Sequence, residues 1–307
     1  MNGNKPAFIK IGTAIGAIVL IQTPAFAKDD KPLSLAVSAG AEYDSNVTVE
    51  QLDVLTSKGD VAAILGASAK YKLSINDKSS LTIGYDFDQS LHKDLAAFDL
   101  QTHTLSAGGE FNVGSATLGV DYSFYHILLG GSGFLDMHQI NPTISGFITK
   151  SIYLRAGYTY LDKSFKLTKN RDAKTSQVSG DGYYFFDNNQ GYISLGGRYD
   201  NENTVDPTLD YNGFQLSANA QLPVNFLTKK SKLKFGYAYR ERNYDSITPS
   251  IGDRRHENRS SFKIAADVPI LAHMSFKPEY RYVDRNSNYA FSNYTENVVS
   301  GTLNYRF

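Results

Sequence analysis

Apolar and polar residues take turns along most of this chain, the period of two expected where successive side chains leave opposite faces of a β-strand. Leu65, Ala67, Ala69, Tyr71 and Leu73 share one face of one such segment, with Lys70 and Lys72 on the other. The rhythm recurs at Leu81, Ile83, Tyr85 and Phe87, at Leu118, Val120, Tyr122 and Phe124, and at Ile152, Leu154, Ala156, Tyr158 and Tyr160. It returns at Leu233, Phe235, Tyr237 and Tyr239, and again at Phe276, Tyr280 and Tyr282. Fourteen strands are predicted, over 33–45, 60–75, 80–92, 102–113, 115–127, 135–148, 151–163, 174–186, 190–202, 209–222, 231–244, 257–269, 274–286 and 296–307. Twelve is the alternative count, because 135–148 and 174–186 alternate poorly.

The connections carry their own pattern. Short links fall at 76–79, Gly114, Thr149-Lys150, 187–189, 223–230 and 270–273. Longer polar links fall at 46–59, 93–101, 130–133, 164–173, 203–208, 245–256 and 287–295. Short and long alternate without a break, as they do when tight turns lie on one side of a membrane and loops on the other. The fold class predicted is all-β: a transmembrane antiparallel up-and-down β-barrel over 28–307, with both chain ends on the short-turn side.

Composition narrows the context. Lys5 and Lys10, the apolar run Ile11 to Ile21 and Ala25-Phe26-Ala27 read as a secretory signal peptide over 1–27. Removing it takes two basic and no acidic residues from a balance of 31 and 31, leaving a net charge of −2 and no argument for a nucleic-acid partner. No cysteine is present, so the fold has no disulfide and no lipid anchor on an N-terminal Cys. The His residues lack metal-ligand spacing and no glycine pattern cradles a nucleotide, so no cofactor and no metal is expected.

The inward parity is uneven in charge. Early strands contribute Glu42, Asp44, Asp86, Asp88, Glu110 and Asp121. Late strands contribute Lys232, Lys234, Arg240, Arg242, Lys263, Lys277, Arg281, Arg285 and Arg306. Such arcs either face each other across a narrow lumen and select charged solutes, or pair and plug it. The candidate selectivity residues are Asp86, Asp88, Glu110, Asp121, Lys234, Arg240, Arg242, Lys263, Lys277, Arg281, Arg285 and Arg306.

The last nine residues place Val299, Gly301, Leu303, Tyr305 and Phe307 on one face and Ser300, Thr302, Asn304 and Arg306 on the other. This segment resembles the closing strand of bacterial outer-membrane β-barrels, with Thr302 where that family usually carries Gly. The resemblance implies an outer-membrane protein with both termini periplasmic, Tyr305 and Phe307 as an assembly signal read by the barrel-assembly machinery, and outer-membrane lipid and lipopolysaccharide as surroundings. Ala41-Glu42-Tyr43-Asp44-Ser45-Asn46-Val47 is similar to the stretch that opens the barrel of surface lipoprotein assembly modifiers, which implies a surface lipoprotein as partner. Asp86-Phe87-Asp88 with Asp136-Met137-His138 resembles the paired motifs of omptin proteases, but Asp136 and His138 share the outward parity of Ile140 and Ile144. His273-Met274-Ser275 matches the H-x-S of outer-membrane phospholipases, beside a predicted tight turn. The expectation is a narrow passive pore and no enzyme. A barrel assisting surface export or display of a lipoprotein or polysaccharide is the alternative, followed by a barrel-mouth hydrolase.

Overall fold

The computed structural model describes residues 32–226 and 229–307; the predicted signal peptide over 1–27 lies outside them. In chain order the strands are β1 (Leu33–Asp44), β2 (Thr48–Val49), β3 (Val54–Leu55), β4 (Asp60–Asn76), β5 (Ser79–His92), β6 (Leu100–Val113), β7 (Ala116–Leu129) and β8 (Ser132–Phe147). They continue as β9 (Ile152–Phe165), β10 (Ala173–Phe186), β11 (Gly191–Thr204), β12 (Tyr211–Phe226), β13 (Lys229–Thr248), β14 (Asp253–Leu271), β15 (Met274–Ser287) and β16 (Tyr294–Arg306). Fourteen of them close into a barrel in which β1 pairs antiparallel with both β4 and β16. The short β2 and β3 form a separate hairpin in the first loop.

Each barrel strand lies within four residues of its predicted span at either end. The largest differences occur where β12 and β13 run on to Phe226 and Thr248 and β14 begins at Asp253, because ladder pairing continues after the apolar alternation fades. The poorly alternating β8 and β10 are each paired on both sides, which settles the count at fourteen. One connection differs from expectation. The link at 130–133 is a two-residue turn, Gly130-Gly131, with φ of +56° and +76°, the positive pair that a tight hairpin requires and glycine adopts without strain.

Closure brings β1 and β16 close together. A Cβ on Gly40 would press into the carbonyl oxygen of Gly301 and sit 2.6 Å from Thr302 Cγ2, so only glycine fits there.

The outer wall is apolar over its middle. Leu65, Ile83, Val120, Leu154 and Leu303 are exposed there, an arrangement stable in lipid and costly in water. Toward the loop end, tyrosines end the apolar belt, and each hydroxyl bonds a polar side chain on the next strand. Tyr85 meets His103 Nδ1 at 2.7 Å, Tyr122 meets His138 Nδ1 at 2.8 Å and Tyr158 meets Ser176 Oγ at 3.0 Å. Tyr199 donates to Asn212 and Tyr280 to Asn297, both at 2.8 Å. Rings that are apolar at one end and hydrogen-bonded at the other suit the headgroup level of a membrane.

Candidate functional site

The site is built by the loop between β1 and β4, which folds into the barrel. Its neck is tied by backbone bonds from Val47 N to Lys58 O at 3.0 Å and from Thr56 N to Val47 O at 3.2 Å, with Asn46 Oδ1 accepting from Ser57 N at 3.0 Å. Beyond the neck, β2 and β3 flank a single 3-10 turn, Glu50–Leu52, which Asp53 ends in the left-handed region at φ +55°. Asp is among the few residues that tolerate that conformation.

Two faces of the loop meet two different walls. Val49 is buried in an apolar cluster with Tyr125, Ile127, Met137, Leu161 and Phe165 of β7, β8 and β9, and Leu52 packs against the same cluster. Glu50 and Asp53 reach the opposite wall, on β13, β14 and β15. Arg240 donates a short hydrogen bond to Glu50, while Arg259 Nε lies 3.8 Å and Arg242 Nη1 4.0 Å from that carboxylate. Asp53 accepts from Arg255 at 2.8 and 3.2 Å and from Arg285 at 2.8 Å. Arg171, from the loop between β9 and β10, donates to Asp53 at 3.3 Å and to Gln51 O at 2.7 Å. Glu257 accepts from Arg285 at 2.7 Å and also pairs with Arg255. Tyr211 lies beneath Arg242, 4.3 Å from ring centre to guanidinium, and Tyr244 beneath Arg255 at 4.7 Å.

Burial makes these interactions matter. Arg285 is 1% exposed, Arg240 4% and Glu50 8%. Burial alone would push the Glu50 carboxyl up, but the charges of Arg240, Arg259, Arg242 and Arg285 hold it well below the ordinary range. Burial likewise opposes ionisation of Asp53, and the hydrogen bond and charge of Arg255, with Arg285 and Arg171, outweigh it and lower its pKa.

The remaining predicted lumen residues lie nearer the turn end or at the seam. Asp86 accepts from Ser68 Oγ at 2.6 Å and pairs with Lys70 at 3.4 Å; Glu110 pairs with Lys72 at 3.8 Å. Asp88 and Asp121 share the inward parity of Asp86 and Ser123 on β5 and β7. Lys277 pairs with Glu279 at 2.8 Å and Arg281 with Glu296 at 3.3 Å. Lys234, Lys263 and Arg306 take the inner parity of β13, β14 and β16. The structure thus brings Arg240, Arg242 and Arg285 together on one loop and engages Asp86, Glu110, Lys277 and Arg281 in local pairs elsewhere.

Glu50, Asp53, Arg171, Arg255, Glu257 and Arg259 were not singled out from the sequence. The available signal was in the first loop itself: Val47, Val49, Leu52, Val54 and Leu55 are too apolar for a link that projects into water.

The candidate catalytic stretches do not converge. Asp136 is bonded to His126 Nδ1 at 2.7 Å and to Lys166, and His138 to the outward Tyr122, whereas Asp86 and Asp88 point inward. His273 lies beside Tyr305, 6.3 Å between ring centres with the rings tilted at 51°. Among the described residues no group of His, Cys, Asp and Glu is placed to hold a metal ion.

A family model described as outer membrane protein beta-barrel domain matches residues 145–307. Comparison with curated proteins gives no match. Among solved structures, the barrel is similar to a loop L8 deletion mutant of OmpT, an outer membrane protein of Vibrio cholerae, at 12% identity and a TM-score of 0.55, covering 90% of this chain and 99% of that one. It is also similar to an anion-selective porin from Comamonas acidovorans, at 7% identity and a TM-score of 0.53, covering 90% and 98%. At these identities the likeness is one of fold.

Proposed function

The chain belongs to the outer membrane protein beta-barrel domain family, and from that premise we propose that it is a narrow passive pore for small charged or polar solutes. The observation that carries this reading is the contrast along the inner wall. Below the inward loop, toward the turn end, the inward side chains of Lys70, Lys72 and Glu110 are 40%, 53% and 58% exposed, so water enters the barrel from that end. At the loop, water is nearly excluded. A water-filled tube narrowed by one inward loop is the physical form of a selective pore. On this reading the loops face outward, the termini lie in the periplasm, and Tyr305 and Phe307 present the assembly signal at the membrane edge, their rings packed edge to face at 4.9 Å.

Planar-bilayer recording tests it. Reconstituted protein should give unitary steps, and neutralising Arg240, Arg242, Arg281 and Arg285 together should move selectivity toward cations. Absence of unitary conductance sinks the reading.

A further inference from the structure

The charges behind the inward loop do not balance. Six guanidinium groups fall into two neighbouring ion-paired sets, Arg240, Arg242 and Arg259 around Glu50 and Arg171, Arg255 and Arg285 around Asp53 and Glu257, an excess of two positive charges in the first and one in the second. Two neighbouring ion pairs are internally matched, Lys163 with Glu202 at 2.6 Å and Arg281 with Glu296 at 3.3 Å, while Asp206 offsets part of the charge of Arg171. Within these sets, Arg240 Nη1, Arg285 Nη1 and the Nε of Arg242, Arg255, Arg259 and Arg285 are buried without a hydrogen-bond partner among the described residues, as are one oxygen each of Glu50 and Glu257, so donors left over outnumber acceptors. Each arginine has an ion-pair partner, yet a buried net positive charge with unused donors is costly for a fold to hold. Two of the three carboxylates arrive on the loop, which apart from its ion pairs is held by its neck, an apolar contact and the bond from Arg171 to Gln51 O.

We infer that the arginine cluster is a binding site for a small oxyanion carrying two or more negative charges, such as a dicarboxylate or phosphate, and that Glu50 and Asp53 occupy part of this site as an exchangeable internal stand-in. The planar forks of several guanidinium groups match carboxylate and phosphate oxygens two at a time, whereas chloride uses one contact. A divalent anion supplies charge the cluster lacks, and it competes with the loop for the same donors. As the solute of the pore, this ligand rests on the conduction reading above; as a bound anion it does not.

The test is calorimetric titration of the full chain, folded in detergent, with succinate and with inorganic phosphate, using chloride as the control. Wild-type protein should bind at least one divalent probe and ignore chloride at equal ionic strength. Glu50→Gln, which removes the competitor, should bind that probe at least tenfold more tightly, and Arg285→Gln should weaken binding at least tenfold. Absence of a divalent-specific heat in both wild type and Glu50→Gln overturns the inference. If Glu50→Gln does not fold, the wild-type titration decides alone. Conductance without binding refutes this site and leaves the pore; binding without conductance does the reverse.

Discussion

Replacing Glu50 by Gln should release the inward loop. The side chain keeps its size and gives up its charge, so Arg240, Arg242 and Arg259 lose a shared counterion while still buried. A pair of unit charges 4 Å apart is worth about 4 kcal/mol at an effective dielectric of 20. Part of that repays desolvation, yet removing one partner of a buried pair costs about 3–5 kcal/mol. Val49 and Leu52 keep their apolar contacts, roughly 1.5–3 kcal/mol each, and Asp53 keeps its arginines, so the loop retains some hold. With a loss of about 3 kcal/mol, loop-out molecules become about 100-fold more common, at 1.4 kcal/mol per factor of ten. The chain has no cysteine, so Val49→Cys introduces a single thiol at a position only 7% exposed. Maleimide should label it about 100-fold faster in the Glu50→Gln background than in its absence. A ratio below threefold would refute the claim that Glu50 holds the loop in.

Other consequences follow from the same structure. Both loop carboxyls have depressed pKa values, so their contribution to closure is present above the ordinary carboxylate range and is lost as pH falls through the lowered values. The groups facing them are Glu257 and the six arginines, so closure should hold from pH 7 to 5 and weaken below about pH 4. Reaction of Val49→Cys with a dithiodipyridine, normalised to a cysteine at the exposed Leu167, reads this, and a rise already at pH 6 would contradict it. Val120→Arg, on the lipid face of β7, should cost about 2–4 kcal/mol in reversible urea unfolding from lipid vesicles; an unchanged midpoint would place that face away from lipid. Gly40→Ala should impair closure of β1 on β16, lowering the temperature at which the folded band is lost on unheated gels, and wild-type behaviour would show that the seam can shift to admit a methyl group.

The barrel was legible in the sequence because a membrane enforces the signal: lipid on one side and water on the other require alternation on every strand. The weak alternation of β8 and β10 left twelve strands as an alternative, which pairing on both sides of each removes. The arginines on β13 and β15 were legible too, since parity alone puts Arg240, Arg242 and Arg285 inside. Their partners were not. The acidic residues of the early strands drew attention, but Asp86 and Glu110 are engaged locally by Lys70 and Lys72. Glu50 and Asp53 sit in a link that periodicity treats as polar connection, and a contact spanning the lumen has no local imprint. Only the five aliphatic residues of that link hinted that it seeks a core.

The bonds of the inward loop join residues very far apart in the chain: Glu50 to Arg240 spans 190 positions and Asp53 to Arg285 spans 232. They join the first loop to β13 and β15, so in the closed barrel they span the seam between the two ends of the chain. If β1 slid two residues along β16, the loop would move roughly 7 Å, at about 3.4 Å per residue, and both carboxylates would miss their arginines. The loop's ion pairs therefore depend on the register of the seam. A correctly zipped cylinder is rewarded with a full set of ion pairs, and a misaligned one is left with naked charge at its mouth.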